Sequence, residues 1–295
     1  MTFTQLRDLF HRAIRRWSDN NATRMAAALA FYAILAFAPL LLFFIAAGSQ
    51  FLDTGTVHET LLREARTQLG PGAASLVQSM FDSAKKPGES AAAGIVSILL
   101  ALLGASGLFD QLRSSVNVIW EISPKTGHPI KVYVVSRIAS VLMALVFVTM
   151  ILVWVGIDSV VSFIRFQAGH TLHIWHLVSF ILSVAFLTGV FSVAFRTFPR
   201  GTVLWRDVWF PAFVTALGFG VSKYLLSLYF GLSRFGSAYG PAGALVVMLL
   251  WFYYSSQIFF FGVELTYAYS HGYGSRRNGD DGDGTGEPTP SRSAP

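Results

Sequence analysis

Hydrophobic residues are grouped along this chain into six long stretches that carry almost no charged residues. The hydrocarbon core of a bilayer is about 30 Å thick and needs about 20 helical residues to cross it, and each stretch meets that length. Backbone polar groups in lipid must be satisfied within the segment itself, so the stretches are expected to be helices. The pattern predicts an all-α, polytopic membrane protein built as a six-transmembrane-helix bundle. The predicted helices cover about residues 25–52, 90–109 (extending to 122), 138–157, 174–195, 208–233 and 238–263.

The polar segments outside these stretches predict three smaller features. Residues 1–24 have apolar side chains at helical spacing beside several arginines, which indicates an amphipathic helix on the cytoplasmic membrane surface, with a partner-binding helix as the alternative. Residues 53–89 predict a small helical cap on the outer face. The Gly-, Ser- and Asp-rich segment 271–295 predicts a disordered cytoplasmic tail, because it cannot bury apolar surface.

The basic residues predict the orientation of the bundle. The formal net charge is +6, and an excess of basic residues in a chain this apolar usually follows membrane topology. If the N-terminus is cytoplasmic, 15 of the 22 lysines and arginines lie on cytoplasmic segments. The positive-inside rule therefore places both termini in the cytoplasm. The chain has no cysteine, which excludes disulfides and thiolate chemistry.

A polar stripe follows the second apolar stretch. Asp110, Arg113, Asn117 and Glu121 fall within a sector of roughly 80° when each helical residue turns by about 100°. The stripe has two interpretations: a solvated surface at the cytoplasmic end of the helix, or a polar wall that faces a cavity in the bundle. The sequence does not decide between them.

Four charged residues are expected at the cytoplasmic ends of the first, second and sixth helices. With the neighbouring amide of Asn117, they form the predicted substrate-binding site. The guanidinium groups of Arg24 and Arg113 suit a phosphate, and the carboxylates of Asp110 and Glu264 would hold them when the site is empty. The alternative is a set of ion pairs that only fasten the three helices together.

On the outer side, Asp158 and Lys223 are a candidate ion pair, with a snorkelling lysine as the alternative. His170, His173 and His176 have a spacing that turns the first and last away from each other by roughly 120°, so we expect no metal site there. Catalytic motifs are also missing from the sequence. We therefore expect neither an enzyme nor a bound cofactor.

Several segments resemble the YihY/BrkB family of bacterial inner-membrane proteins, formerly labelled ribonuclease BN-like. The similarity covers roughly residues 15–270, in the family's order. The segments that carry it are 24–39 (RMAAALAFYAILAFAP), 112–120 (LRSSVNVIW), 199–207 (PRGTVLWRD), 239–244 (YGPAGA), 250–254 (LWFYY) and 261–265 (FGVEL).

The resemblance implies a location in the bacterial inner membrane and a choice of roles. The family has carried ribonuclease and virulence labels and a proposed role in moving lipid or lipopolysaccharide precursors. No residue pattern in this chain supports the ribonuclease label, and no nucleic-acid partner is expected. The leading hypothesis is therefore translocation or export of a lipid or another amphiphilic envelope component, with membrane lipids as partners. The alternative is a non-transporting scaffold that organises envelope proteins.

Overall fold

In the part of the chain that it describes, the computed structural model contains helices joined by turns and no strand. The all-α class predicted from the sequence is confirmed for these residues. They are residues 2–48, 54–69, 74–75, 77–78, 82, 107–122, 149–150, 174–199, 203–232 and 240–276. The helices are α1 (Phe3–Asp19), α2 (Ala22–Gly48), α3 (Thr54–Leu69), α4 (residues 107–119), α5 (Ile174–Thr197), α6 (Trp205–Leu232) and α7 (Gly240–Gly272).

Helices α2, α5, α6 and α7 occupy the positions of four predicted spans. Most of the segments 90–109 and 138–157, and much of the predicted cap 53–89, lie outside the described residues. The largest difference from the sequence prediction is at the end of α7, which continues for nine residues beyond position 263. The apolar pattern stops at Glu264, but the helix stays packed beyond it, because Leu265 is fully buried and Ala268 nearly so.

The N-terminal segment is an amphipathic helix that turns sharply into α2. The backbone N–H of Thr2 donates to the side-chain oxygen of Gln5 at 2.9 Å, which is one half of a capping box. At the other end, Asn21 adopts a positive φ of 53° between α1 and α2. Asparagine tolerates this left-handed conformation better than most residues. The turn lets α1 fold back beside α7 instead of continuing in line with α2.

Helix α7 is the central element of the described bundle, since it packs against α1, α2 and α6. The main core also includes residues of α4 and α5. Many of its members are alanines, which let helices approach closely, or aromatic residues, whose rings fill the spaces between helices. The fully or almost fully buried residues that surround the centre are Ala22, Ala26, Val116, Ile119, Phe195, Phe198, Val208, Ala212, Ala216, Phe260 and Val263.

The outer faces of α5, α6 and α7 are apolar as well. On α6, the side chain at every fourth position from Trp205 to Leu225 is exposed and apolar. Val208, Ala212 and Ala216, about 60–100° around the helix from their exposed neighbours, are completely buried. Segments Phe180–Thr197 and Leu245–Gly272 are long and apolar enough to cross a membrane, and only 28% of the residues in each are buried. An apolar surface of this extent is unfavourable in water and typical of helices that face lipid.

Gly262 is the closest point between α7 and its neighbours. A Cβ atom at this position would lie 2.6 Å from Cζ of Phe195 and 2.9 Å from Cγ2 of Thr215, and closer still to Oγ1 of Thr215. Three helices therefore meet at one residue that has no side chain. Gly189 offers a contrast, since a Cβ atom there would meet nothing within 4 Å.

We predict that Gly262→Ala lowers the free energy of unfolding by about 1–3 kcal/mol, because the added methyl group overpacks a full core. Gly189→Ala is the matched control and should be neutral or stabilising by up to about 1 kcal/mol, the usual gain in helix propensity. Thermal unfolding of both variants in detergent micelles measures the difference. Equal melting temperatures for the two variants would contradict the close contact at Gly262.

Candidate functional site

The side-chain carboxylate of Glu264 is completely buried in the bundle. Both of its oxygens accept hydrogen bonds from the N-terminal segment. Nδ2 of Asn20 donates to Oε1 at 2.6 Å, and Nε of Arg16 donates to Oε2 at 3.1 Å. A buried carboxylate is very unfavourable unless it is paired and hydrogen-bonded. These two bonds therefore require α1 to stay docked on α7.

Arg16 connects three elements through one guanidinium group. Besides bonding Glu264, its Nη1 donates to Oε1 of Glu121 at 3.0 Å and its Nη2 donates to the backbone carbonyl of Ile119 at 3.0 Å. The group also lies 3.7 Å from the ring centre of Tyr267, a cation–π contact. Burial lowers the pKa of Arg16, but the bond to Glu121 and the charge of Glu264 outweigh that effect and raise it overall.

We call Arg16, Asn20, Glu121 and Glu264 the Glu264 cluster. The residues of α1 that reach α7 share one side of the helix. Leu9 and Ala13 pack against α7 in a small apolar core, and Arg16 and Asn20 follow at the next two turns of the same side. The apolar side of α1 thus ends in the two polar residues that bind the carboxylate.

The backbone of α4 turns out of its helix at the cluster. Glu121 has a positive φ of 55°, and the backbone N–H of Ile122 donates to the carbonyl of Asn117 at 3.0 Å. This left-handed ending is usually made by glycine, and a residue with a side chain adopts it at a cost. Here the ending places the Glu121 carboxylate beside Arg16.

An aromatic layer lies next to the cluster. Trp120 meets Tyr267 edge to face with ring centres 5.5 Å apart, and His271 stacks on Tyr267 at 4.1 Å. The guanidinium of Arg276 lies 5.2 Å from the centre of the Trp120 ring. The end of α4, the end of α7 and the residues after α7 are therefore held in one contact layer.

Two hydrogen-bond donors in this region have no acceptor in the described part of the chain. They are the indole Nε1 atoms of Trp17 and Trp120, both shielded from solvent. Both rings belong to or pack against the main core. Most buried donors in folded proteins are satisfied, so an unpaired one needs an explanation.

The residues predicted from the sequence fall in different places. Glu264 lies at the centre of the cluster, whereas Arg24 and Asp110 are exposed. Arg113 is half-buried, and the buried side chain of Asn117 donates to the backbone carbonyl of Arg113 at 2.8 Å. Their role in substrate binding stays a prediction. The pairing of Asp158 with Lys223 lies outside the described residues, since α6 is described at position 223 only in its backbone.

Arg16 and Asn20 were missed as site residues in the sequence. The signal was present, because Leu9, Ala13, Arg16 and Asn20 follow helical spacing of 4, 3 and 4. Glu121 did belong to the predicted polar stripe. What the sequence did not reveal is that α1 packs along α7, which makes Arg16 the arginine beside Glu264.

A second buried carboxylate fixes the chain after α7. Asp207, in the first turn of α6, accepts a bond from the backbone N–H of Ser275 at 3.1 Å and another from the Ser275 hydroxyl. A Cβ atom at Gly274 would lie 2.5 Å from Oδ1 of Asp207. The predicted disordered tail begins at residue 271, but residues 271–276 are structured, because this carboxylate and the aromatic layer hold them.

Comparison with known proteins identifies the family. The family described as Virulence factor BrkB matches residues 13–284. The chain belongs to this family. The resemblance to YihY/BrkB proteins expected from the sequence is thereby confirmed.

Relatives of the chain are named as membrane proteins. A UPF0761 membrane protein of Haemophilus influenzae (strain 86-028NP) is 25% identical over 85% of this chain and 91% of its own length. One of Alteromonas mediterranea is 27% identical over 89% of this chain and 87% of its own length. Another, of Janthinobacterium sp., is 24% identical over 91% of this chain but only 61% of its own length. No solved structure matches the chain.

The apolar helices and the names of these relatives together support a membrane location for this chain. The described residues contain no group of three histidine or carboxylate side chains that could hold a metal ion.

We predict that Arg16→Gln lowers the free energy of unfolding by about 3 kcal/mol, near the lower end of the range for a broken buried ion pair. The buried Glu264 carboxylate would keep only its neutral bond to Asn20. Unfolding in detergent measures the loss. Adding Glu264→Gln to Arg16→Gln should recover part of it, because the uncompensated charge is then gone.

Arg15→Gln is the control for this prediction. Arg15 is the neighbouring residue, and its ion pair with Asp19 spans 3.9 Å between side chains that are 78% and 69% exposed. Exposed pairs of this kind contribute little, so the loss should be below about 0.5 kcal/mol. Equal losses in Arg15→Gln and Arg16→Gln would contradict the stabilising role assigned to the Glu264 cluster.

Proposed function

We propose that this BrkB-family protein translocates or exports a lipid or another amphiphilic component of the bacterial envelope. In this proposal, six helices cross the inner membrane and both termini are cytoplasmic. Membrane lipids are the partners, and no catalytic step, cofactor or nucleic acid is involved.

The proposed topology has support from the contacts of the terminal segments. The hydroxyl of Tyr273, just after α7, donates to the backbone carbonyl of Gln5 in α1 at 3.3 Å. The first and last described segments therefore lie at the same end of the bundle. The predicted excess of basic residues at that end favours the cytoplasmic side.

The observation that carries the proposal is the surplus of hydrogen-bond donors at this end. The indole N–H groups of Trp17 and Trp120 are buried without an acceptor among the described residues. The guanidinium of Arg276 lies 5.2 Å from the centre of the Trp120 ring and adds positive charge at this end. A ligand that supplies several acceptor oxygens and negative charge would complement such a region. A phosphate-bearing headgroup has that chemistry.

In this proposal the headgroup would move along the polar face of α4. Arg113 lies about two turns and Asn117 about one turn before Glu121 on the predicted stripe, and Arg113 is half-buried. Ionisable groups at the edge of a membrane bundle commonly mark a substrate path. The proposal therefore gives Arg113 the headgroup phosphate, with the aromatic layer at the cytoplasmic entrance.

A scaffold that does not transport is the second candidate. The observation that favours it is the saturation of the Glu264 carboxylate, whose two oxygens are already bonded by Arg16 and Asn20. A cluster with all its bonds made can act as a permanent fastening of α1 and α4 to α7. In that case the exposed surfaces, and not the polar face of α4, would carry the function.

We predict that proteoliposomes containing the purified protein move headgroup-labelled phospholipid between leaflets, and that Arg113→Ala slows this movement on the order of tenfold. That factor corresponds to losing one charge-assisted hydrogen bond to the phosphate, about 1.5 kcal/mol. The measurement is the time course with which the label becomes accessible to a membrane-impermeant quencher.

Ser114→Ala is the matched control, because Ser114 is the next residue of α4 and is exposed. It should translocate at the unchanged rate. If the folded protein moves neither phospholipids nor a lipid A precursor, the translocation proposal fails and the scaffold becomes the better candidate. Equal slowing by Arg113→Ala and Ser114→Ala would remove Arg113 from the path.

A further inference from the structure

Helix α1 has a second apolar surface, next to the one that packs on α7. Phe3 is 84% exposed and Ile14 is 56% exposed, although both are large hydrophobic residues. Between them is an open depression of about 370 Å³. We call it the α1 groove; it is lined by Phe3, Leu6, Arg7, Phe10, His11 and Ile14.

The groove occupies one of three distinct sides of α1. At about 100° per residue, the side centred on Phe3, Phe10 and Ile14 lies roughly 100° around the helix from the α7-facing side at Leu9 and Ala13. The third side carries charged residues, among them Arg15 and Asp19, whose side chains form an ion pair with 3.9 Å between nitrogen and oxygen. One side thus meets protein and one is suited to water. The groove side touches α7 through Phe10, whose ring centre lies 6.1 Å from that of Phe261, whereas Phe3 and Ile14 are exposed.

The level of α1 relative to the bilayer follows from its neighbours. Leu9 and Ala13 pack with Leu265 and Ala268, close to the end of the apolar span Leu245–Gly272. Phe210 of α6 packs against the same small core.

Two exposed tryptophans, Trp205 and Trp209, lie on α6 within about a turn of Phe210. Tryptophan is enriched at the headgroup level of membranes. The end of the α7 span and this pair of tryptophans independently place α1 at the membrane boundary.

We propose that the α1 groove binds an anionic phospholipid of the surrounding bilayer. The acyl chain lies along Phe3, Phe10 and Ile14, and the headgroup phosphate lies at the rim beside Arg7 and His11. The guanidinium of Arg7 lies 3.9 Å from the carboxylate of Asp8, with both side chains largely exposed, so it keeps donors for a phosphate. This site does not depend on whether the protein translocates lipid.

The first experiment locates the groove relative to the bilayer. The chain has no cysteine, so a single introduced cysteine can be spin-labelled without background. Ile14→Cys reports on the groove, and Asp8→Cys on the charged side is the control. In nanodiscs, the label at 14 should be accessible to oxygen and shielded from a water-soluble nickel complex, and the label at 8 should show the reverse. A water-accessible label at 14 would overturn the proposal and favour a protein partner in the groove.

The second experiment tests the lipid class. The full-length protein is placed in nanodiscs of mixed phosphatidylglycerol and phosphatidylcholine, and the phospholipids retained after mild detergent extraction are counted by mass spectrometry. Arg7→Gln should lower the retained ratio of phosphatidylglycerol to phosphatidylcholine about fivefold, the effect expected of one basic residue at an anionic surface.

Arg15→Gln is the control for the lipid measurement. Arg15 matches Arg7 in charge, in exposure (78% against 75%) and in its 3.9 Å ion pair, but it lies away from the groove. It should leave the lipid ratio nearly unchanged. An equal drop in both variants would overturn the groove as a site and indicate diffuse attraction, and no drop in Arg7→Gln would overturn the assigned headgroup contact.

Discussion

The described structure depends on one requirement, the pairing of the carboxylate that α7 carries into the core. Glu264 is completely buried in a helix whose neighbours are apolar, and Arg16 and Asn20 supply its hydrogen bonds. Without them a charge would remain in a poorly polarisable surrounding. The position of α1 follows from this need. Because Arg16 also bonds Glu121, the end of α4 is fixed by the same group.

The rest of the bundle is arranged around α7 in a way that leaves little freedom. Gly262 allows Phe195 and Thr215 to approach one turn of that helix closely. Two residues later, Glu264 bonds Arg16 of α1. Beyond the helix, Asp207 holds the backbone of Ser275. The close packing, the charge pairing and the anchoring of the segment after α7 therefore all lie within about four helical turns, from Gly262 to Ser275.

Much of the fold could be predicted from the sequence, because the lipid environment imposes length and hydropathy on each helix separately. The positions of α2, α5, α6 and α7 needed no knowledge of their neighbours. Charge pairing is different, since helical spacing shows which residues share a side but not which helices meet. Arg24 was expected near Glu264, because both lie at the cytoplasmic ends of their predicted helices. The turn at Asn21 instead brings Arg16 to the Glu264 carboxylate. The C-terminal end of α7 was predicted too early for the same reason. A charged residue ends an apolar pattern in the sequence, but it does not end the helix when a residue of another helix pairs with it.

The saturated Glu264 cluster also narrows what a transport mechanism could use. Both oxygens of the Glu264 carboxylate are bonded, and Arg16 is shared between Glu264, Glu121 and a backbone carbonyl. These groups have no hydrogen bond to spare for a substrate unless α1 moves. Headgroup recognition would then have to come from donors outside the cluster, such as the indole of Trp120, which is buried without an acceptor among the described residues. In this arrangement the cluster fastens the helices and the neighbouring donors carry recognition. The same end of the bundle can therefore fasten the helices and also take part in transport. The two candidate functions differ in one respect: a translocator would bind the headgroup along the polar face of α4, and a scaffold would not.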